Sequence, residues 1–389
     1  MAKDKEKEKA EPEGESEPIV AEEGEDARDV VFREFFQKVN KEYGKGTIQT
    51  ADKSLFVDVP RIPTGVFALD FALGGGVPAG RITLLYGHKS SSKSTTALRV
   101  VGESQKLCSS CFKRLESEDK DGKCSCKKPR RFKAAWIDAE GCFEHSWAKN
   151  IGVELRHVAL ARPEYAEQAI DIVEGLLRGG ACDLVVIDSI AAMAPSEELE
   201  KSSEKDQVGL QARKTNKGIR KWISAMNYSG REYGRTPTLI MINQIRMKIG
   251  IMFGNPETIP GGLFQEYGAS VIVKTWSKKA EIDDETGKPI SSIMCFTVTR
   301  NKVSTPHISG EYVMVESQTD CKRAGQVADE EYLVKLALKY GIVKKESSKE
   351  FILDGVSFMA ESQVVKFLME NADECDKLKK QLMKILTEI

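Results

Sequence analysis

The stretch Ile82-Thr83-Leu84-Leu85-Tyr86-Gly87-His88-Lys89-Ser90-Ser91-Ser92-Lys93-Ser94-Thr95-Thr96 decides the fold. An apolar run the length of one buried strand ends in glycine, passes through a turn of small polar residues, and opens a helix at Lys93 and Ser94. A loop that binds phosphate needs small residues so that backbone N–H groups can surround the anion. It also needs a lysine to reach the outer phosphates and a hydroxyl for magnesium. Gly87, Lys93 and Ser94 meet those needs. Ser92 stands where the usual pattern has its second glycine, and serine resists backbone angles that glycine accepts. Taken alone, a Ser-rich turn between strand and helix also serves as an ordinary capping segment.

Three further apolar runs, Ala134 to Ile137, Leu184 to Ile187 and Leu239 to Ile242, alternate with helical patterns between residues 60 and 305. Alternation of this kind predicts a parallel sheet flanked by helices, with ligands at the carboxyl ends of the strands. At those ends stand Asp138-Ala139-Glu140, Asp188-Ser189 and Asn243-Gln244. One carboxylate there can hold magnesium and another can polarise an attacking water, although strand-end acids also cap helices. Past Gln244 the segment Ile245-Arg246-Met247-Lys248-Ile249-Gly250-Ile251-Met252-Phe253 mixes two cations with apolar side chains that a core would not accept. Cations neutralise phosphates and apolar side chains wedge between bases, so the segment reads as a nucleic-acid loop rather than a surface loop with stray hydrophobes.

With 389 residues the chain can bury a substantial core, more than one domain being usual at that length. Residues 1–29 carry 12 acids against 5 bases, and the remainder carries 53 Lys and Arg against 47 Asp and Glu. That is a mildly basic body behind an acidic tail, which permits DNA binding at local patches. The tail is rich in Glu, Lys, Pro and Gly and is expected to be disordered. From Val30 the pattern Val31-Phe32-Arg33-Glu34-Phe35-Phe36-Gln37-Lys38-Val39 predicts an amphipathic helix. The charged opening lacks a signal-peptide core and no long apolar run follows, so a cytoplasmic protein without membrane contact is expected.

In a reducing compartment nine cysteines argue for metal rather than disulfides. Cys108-Ser-Ser-Cys111 and Cys124-Ser-Cys126 form two close thiol pairs in a stretch, 107–131, that also holds Lys113, Arg114, Lys123, Lys127, Lys128, Arg130 and Arg131. Four thiolates suit closed tetrahedral Zn2+ in a structural role, and a redox or metal-free loop is the other reading.

Taken together these motifs resemble the bacterial RecA recombinase family, over residues 31–389 apart from the cysteine stretch. The resemblance implies an α/β fold: a RecA-type P-loop ATPase core with a parallel-dominated central sheet. It adds an N-terminal oligomerisation helix and strand and a small α+β C-terminal domain, and this chain carries a zinc-binding insertion besides. The expected bounds are a tail at 1–29, an arm at 30–59, a core at 60–329 with the insertion at 107–131, and a C-terminal domain at 330–389.

By the same resemblance ATP lies on Gly87, His88, Lys89, Ser90, Ser91, Ser92, Lys93, Ser94 and Thr95, with Glu144 and Trp147 near the adenine. Mg2+ is held by Ser94 and Asp188, and Glu140 activates the water. Gln244 senses the terminal phosphate, while Arg300 and Lys302 act in trans on the ATP of the adjoining subunit. Val208, Arg213, Asn216, Arg220, Arg246, Lys248, Ile249, Gly261 and Gly262 contact DNA, Val208 and Ile249 entering gaps between base triplets. Glu266 and Leu263 depart from the lysine and asparagine that the family tends to place there. The implied activity is an ATP-dependent recombinase that forms helical filaments on single-stranded DNA and exchanges strands with double-stranded DNA. Two alternatives stand beside it, a DNA-coating protein with little hydrolysis and a ring-forming helicase or branch-migration motor.

Overall fold

In the computed structural model the described residues are 26–51, 59–116, 123–200, 209–247, 256–285, 287–318, 323–347 and 349–388. They fall into two compact units, Met1–Val57 and Asp58–Ile389. Most of the acidic tail therefore lies outside the described residues, as do Val208, Lys248 and Ile249.

In the first unit α1 spans Ala27–Tyr43, capped by Asp26, whose Oδ1 accepts from the Arg28 N–H at 3.0 Å. The helix thus begins three residues inside the stretch expected to be tail, because an aspartate at the cap satisfies an N–H that the first turn leaves unpaired. Val31, Phe32, Phe35 and Tyr43 are exposed along it. Asn40 clasps Ile48 through both its amide N–H and its carbonyl, at 3.0 and 3.1 Å, and residues 44–51 pair in no strand.

In the second unit the chain runs through β1 (Arg61–Ile62), α2 (Phe67–Leu73), β2 (Val77–Pro78), β3 (Ile82–Gly87), α3 (Lys93–Ser104) and β4 (Ala134–Asp138). There follow α4 (His145–Ile151), β5 (Val158–Ala161), α5 (Ala166–Arg178), β6 (Leu184–Asp188), α6 (Ser196–Glu200), α7 (Leu210–Tyr233) and β7 (Thr238–Gln244). The short β8 (Arg246–Met247) and β9 (Glu257–Thr258) precede α8 (Phe264–Gly268), β10 (Val271–Ile282), β11 (Pro289–Asn301), β12 (Ser309–Val315) and β13 (Val327–Ala328). The chain closes with α9 (Glu330–Lys339), β14 (Lys344–Ser347), β15 (Glu350–Leu353), β16 (Val356–Phe358), α10 (Glu361–Glu370) and α11 (Ala372–Glu388).

The central sheet has nine strands in the order β13-β12-β11-β10-β3-β7-β6-β4-β5. The six from β10 to β5 are parallel and the other three antiparallel. The apolar strands alternate with a period of two: Trp136, Val186 and Ile240 enter one core, while Ile137, Ile187 and Met241 enter the core on the opposite face. Both faces are buried, which is why these strands read as continuous apolar runs. No helix among the described residues is long and apolar enough to cross a membrane.

The last sixty residues form an α+β lobe whose core takes in Phe67 and Phe71 of α2. Asp329, at the expected boundary, is buried and accepts from the Phe67 N–H at 2.9 Å, so this lobe is packed onto the core without a separating linker. Nearby, Asp70 accepts from the Thr64 N–H at 2.7 Å, and burial pushes its carboxyl up to about 8. A carboxyl whose pKa is higher folded than unfolded loses stability as pH rises from about 4 to 8, by at most about 1.4 kcal/mol per unit. The urea midpoint of Asp70→Asn should therefore match the unmodified protein near pH 4 and exceed it increasingly toward pH 8.

Candidate nucleotide and nucleic-acid site

The carboxyl ends of β3, β4, β6 and β7 lie side by side: Asp138 pairs with Asp188 and Gly87 with Gln244. The expected phosphate loop therefore sits beside Gln244, Asp188 and the turn that carries Glu140. A Cβ on Gly87 would fall 2.0 Å from the Thr275 carbonyl oxygen, so only glycine fits where the loop presses on β10. Ser91 Oγ lies 3.0 Å from Thr275 Oγ1, tying the loop to the same strand. Ser92, in place of the second glycine, takes φ +54 and ψ 25 at the start of α3. Serine can hold that left-handed geometry at a cost of about 1–2 kcal/mol, so the loop keeps its shape despite the departure.

Lys93 Nζ donates to the His88 carbonyl at 2.6 Å and to Ser91 Oγ at 3.3 Å, curling over the loop. Burial lowers its pKa, and the nearby Asp188 and Glu140 carboxylates oppose that shift. Asp188 is pushed up to about 6 by burial, against a hydrogen bond from Ser94. Ser94 and Asp188 thus present adjacent oxygens, the donor chemistry that magnesium prefers. Glu140 Oε1 accepts from Gln244 Nε2 at 2.7 Å and from the Ser189 hydroxyl. The Ala139 and Glu140 N–H groups both donate to the Asp188 carbonyl, which fixes the turn that carries the glutamate.

Glu144 caps α4, accepting from the Ser146 N–H at 2.9 Å; the Ser146 hydroxyl and that N–H hold its carboxyl below the usual range. Trp147 Nε1 donates to Thr95 Oγ1 at 3.3 Å, which brings the indole to the first turn of α3. Three supports escaped the sequence reading. Ser189 holds Glu140, and Asn243 donates to Gln265 Oε1 at 2.6 Å and to the Pro260 carbonyl at 2.8 Å, bracing the root of the segment that follows Gln244. Asp138 accepts from the Cys142 and Phe143 N–H groups and from Arg162 Nε, holding the turn between Glu140 and Glu144. The only signal for these was position, each lying one or two residues from a chosen side chain.

Arg300 and Lys302 are not near this chain's own loop. Arg300 pairs with Ile272, which pairs with Leu84, whereas the loop leaves at Gly87. Arg300 Nη1 donates to the Glu266 carbonyl and Lys302 Nζ to the Tyr267 carbonyl, so both cations project beside α8, where Leu263 and Tyr267 are exposed. Lys302 lies just past the end of β11.

Packed against α8 as well, α7 exposes Arg213 and Arg220, and the Arg220 guanidinium lies 4.9 Å from the Phe264 ring centre. Arg246 is exposed on β8, which pairs with β9 at the base of the expected nucleic-acid loop. Gly261 and Gly262 have φ of +91 and +82, and a Cβ on Gly262 would fall 2.9 Å from the Asn216 amide. Were Gly262 to contact DNA as the resemblance implies, Gly262→Ala would displace that contact through its clash with Asn216, and single-stranded DNA binding should weaken by up to roughly tenfold, about 1.4 kcal/mol, with nucleotide affinity unchanged. Titration with a labelled oligonucleotide and with a fluorescent nucleotide checks both halves.

In the stretch expected to be an insertion the Sγ atoms of Cys108, Cys111, Cys124 and Cys126 all lie within 4.8 Å of one another, with Cys111 and Cys124 3.5 Å apart. Tetrahedral zinc at about 2.3 Å from each sulfur needs sulfurs about 3.8 Å apart, so the set fits. Burial raises the Cys108 thiol, but N–H donors from Arg130, Ser110 and Cys111 outweigh it and hold it at about 6. The Cys111 and Cys124 thiols push Cys126 up to about 12. Sulfurs this close compete for negative charge, and a shared cation relieves that competition.

Residues 31–118 and 123–351 match the RecA N-terminal domain family. The chain is 34% identical to "Protein RecA" of Aquifex aeolicus over 341 residues, 87% of this chain and 88% of that one. It is 36% identical to "Protein RecA" of Chloroherpeton thalassium over 310 residues, covering 79% and 76%, and 32% identical to that of Thermotoga maritima over 360, covering 90% of each. With the phosphate-loop geometry, the nine-stranded sheet and a match that spans most of both chains, this protein belongs to the RecA family.

Proposed function

We propose that the chain is an ATP-dependent recombinase that polymerises on single-stranded DNA and catalyses homologous pairing and strand exchange. The observation that carries this reading is the 2.7 Å hydrogen bond from Gln244 to Glu140. It joins the residue that would activate water to the root of the loop that would grip DNA, so nucleotide state and DNA grip share one contact.

ATP would lie on Gly87 to Thr95, with the Lys93 ammonium turning from the loop carbonyl to the outer phosphates and Trp147 against the base. Ser94 and Asp188 would hold Mg2+, which when bound neutralises charge on the phosphate oxygens. Glu140, held by Ser189 and Gln244, takes the proton from the attacking water. Arg300 and Lys302, remote from their own loop, would reach the ATP of an adjoining subunit, and the exposed apolar face of α1 suits the role of an oligomerisation arm. Arg213, Asn216, Arg220, Arg246, Gly261 and Gly262 would line the DNA path together with Val208, Lys248 and Ile249, giving contacts that are largely indifferent to sequence. Zn2+ in the four-cysteine site would have only a structural role, since all four positions are taken by sulfur.

Phosphate release with and without single-stranded DNA, followed by electron microscopy of the complex, tests the reading. Stimulated hydrolysis and helical filaments are expected. Absence of single-strand-stimulated hydrolysis that Ser92→Gly restores would favour a coating protein, and closed rings alone would favour a motor.

A further inference from the structure

The insertion is held to the core by paired cations and turns a different set outward. Leu107 and Phe132 are buried at its two ends, Phe112 stacks edge-on against Phe132 at 5.5 Å, and Cys108 bridges Arg131. Arg131 pairs with Glu154, and Lys106 and Arg114 pair with Glu103. Lys123, Lys127, Lys128 and Arg130 are exposed, and none of the four has a carboxylate partner among the described residues. Elsewhere on the surface cations commonly face acids: Lys214 meets Glu167 and Glu197, Lys221 meets Asp171 and Glu174, and Lys377 meets Asp354 and Glu374. Residues 106–133 carry ten Lys and Arg against four Asp and Glu in a chain whose totals are 58 and 59.

We propose that the outward cations of the cysteine-clamped insertion form a second nucleic-acid contact, binding the phosphate backbone of a DNA segment other than the one held at the loops. The position in the fold is the reason for naming a separate segment. The phosphate loop and the segment that follows Gln244 leave the carboxyl ends of β3 and β7, whereas the insertion joins the far end of α3 to the start of β4. At 1.5 Å per residue the twelve residues of α3 put about 18 Å between the phosphate loop and the insertion. The composition of the surface selects nucleic acid over protein. None of the large exposed hydrophobic residues of the described chain lies between 106 and 133, and a protein interface needs such an apolar centre, whereas a phosphate backbone needs only cations on a stable mount. Backbone hydrogen bonds from the Cys108, Ser109, Leu115 and Cys124 N–H groups supply that mount besides the thiols.

This inference rests on the recombinase reading only for its role, which is capture of a duplex by a filament already formed on a single strand. The test uses the full chain with Lys123→Ala, Lys127→Ala, Lys128→Ala and Arg130→Ala combined. Zinc content and single-strand-stimulated hydrolysis should stay within about twofold of the unmodified protein. Capture of a labelled duplex of unrelated sequence should weaken by about tenfold or more, and its log affinity against log salt should flatten by two to four, at about 0.9 for each phosphate no longer neutralised. Unchanged capture and slope would overturn the proposal. So would an equal loss of single-strand-stimulated hydrolysis, which would make the cations part of the loop site, or binding of polyglutamate that duplex does not displace. If the unmodified protein shows no stimulation by single strands, the recombinase reading fails alone, because its direct binding of duplex still reads the insertion.

Discussion

Glu140→Gln should lower single-strand-stimulated ATP hydrolysis by about 10²–10⁴-fold, the usual worth of a general base, while nucleotide and DNA still bind. The substitution isolates basicity. The replacement amide keeps an oxygen able to accept from Gln244 and Ser189, which now donate to Glu140 Oε1, so the local geometry has no reason to move. It also removes one of the carboxylates that raise the Asp188 pKa, and this favours rather than opposes cation binding there. Phosphate release at saturating ATP and DNA, beside fluorescent-nucleotide titration, gives both quantities. A rate within threefold of the unmodified protein would remove Glu140 from the catalytic role.

The second large effect is on metal content. Purified protein should carry about one equivalent of zinc, and Cys108→Ser with Cys111→Ser should carry none, since two sulfurs cannot hold the ion against solvent. Structural zinc is worth about 10–16 kcal/mol in isolated finger peptides, so the insertion should lose its fold with its metal and be cut by protease between Leu107 and Arg131. The core should survive, because Trp136, Val186 and the strands around them belong to clusters that the thiols do not complete. Elemental analysis and limited proteolysis read the two outcomes. Full zinc in the double variant, or a metal-free native protein, would refute the assignment.

The parts of the fold that could be read in advance are those whose signal is local. Ile82 to Tyr86, Leu184 to Ile187 and Leu239 to Ile242 are buried on both faces, and that environment writes itself as an unbroken apolar run. Lys93, Ser94, Asp188, Glu140 and Gln244 are gathered at one sheet end because each stands just past such a run. The missed residues act through partners distant in the chain. Asn243 braces Gln265, Asp138 receives Arg162, and Thr275 abuts Gly87, pairings that only the folded sheet brings about. Phe67 and Phe71 likewise look like ordinary core residues in sequence, yet they share a cluster with the C-terminal residues. The start of α1 was missed because Asp26 sits in an acidic run where one capping side chain is indistinguishable from its neighbours.

The insertion enters at Leu107 and leaves at Phe132, and the bridge between Cys108 and Arg131 brings its two feet together. An excursion that departs and returns through one doorway is a module, but not a detachable one. Splicing 108–131 out would also strip Phe112 from the core and the Arg114–Glu103 and Arg131–Glu154 pairs, so with the stretch kept in place the doorway offers a site to graft a fluorophore or affinity handle far from the nucleotide cleft.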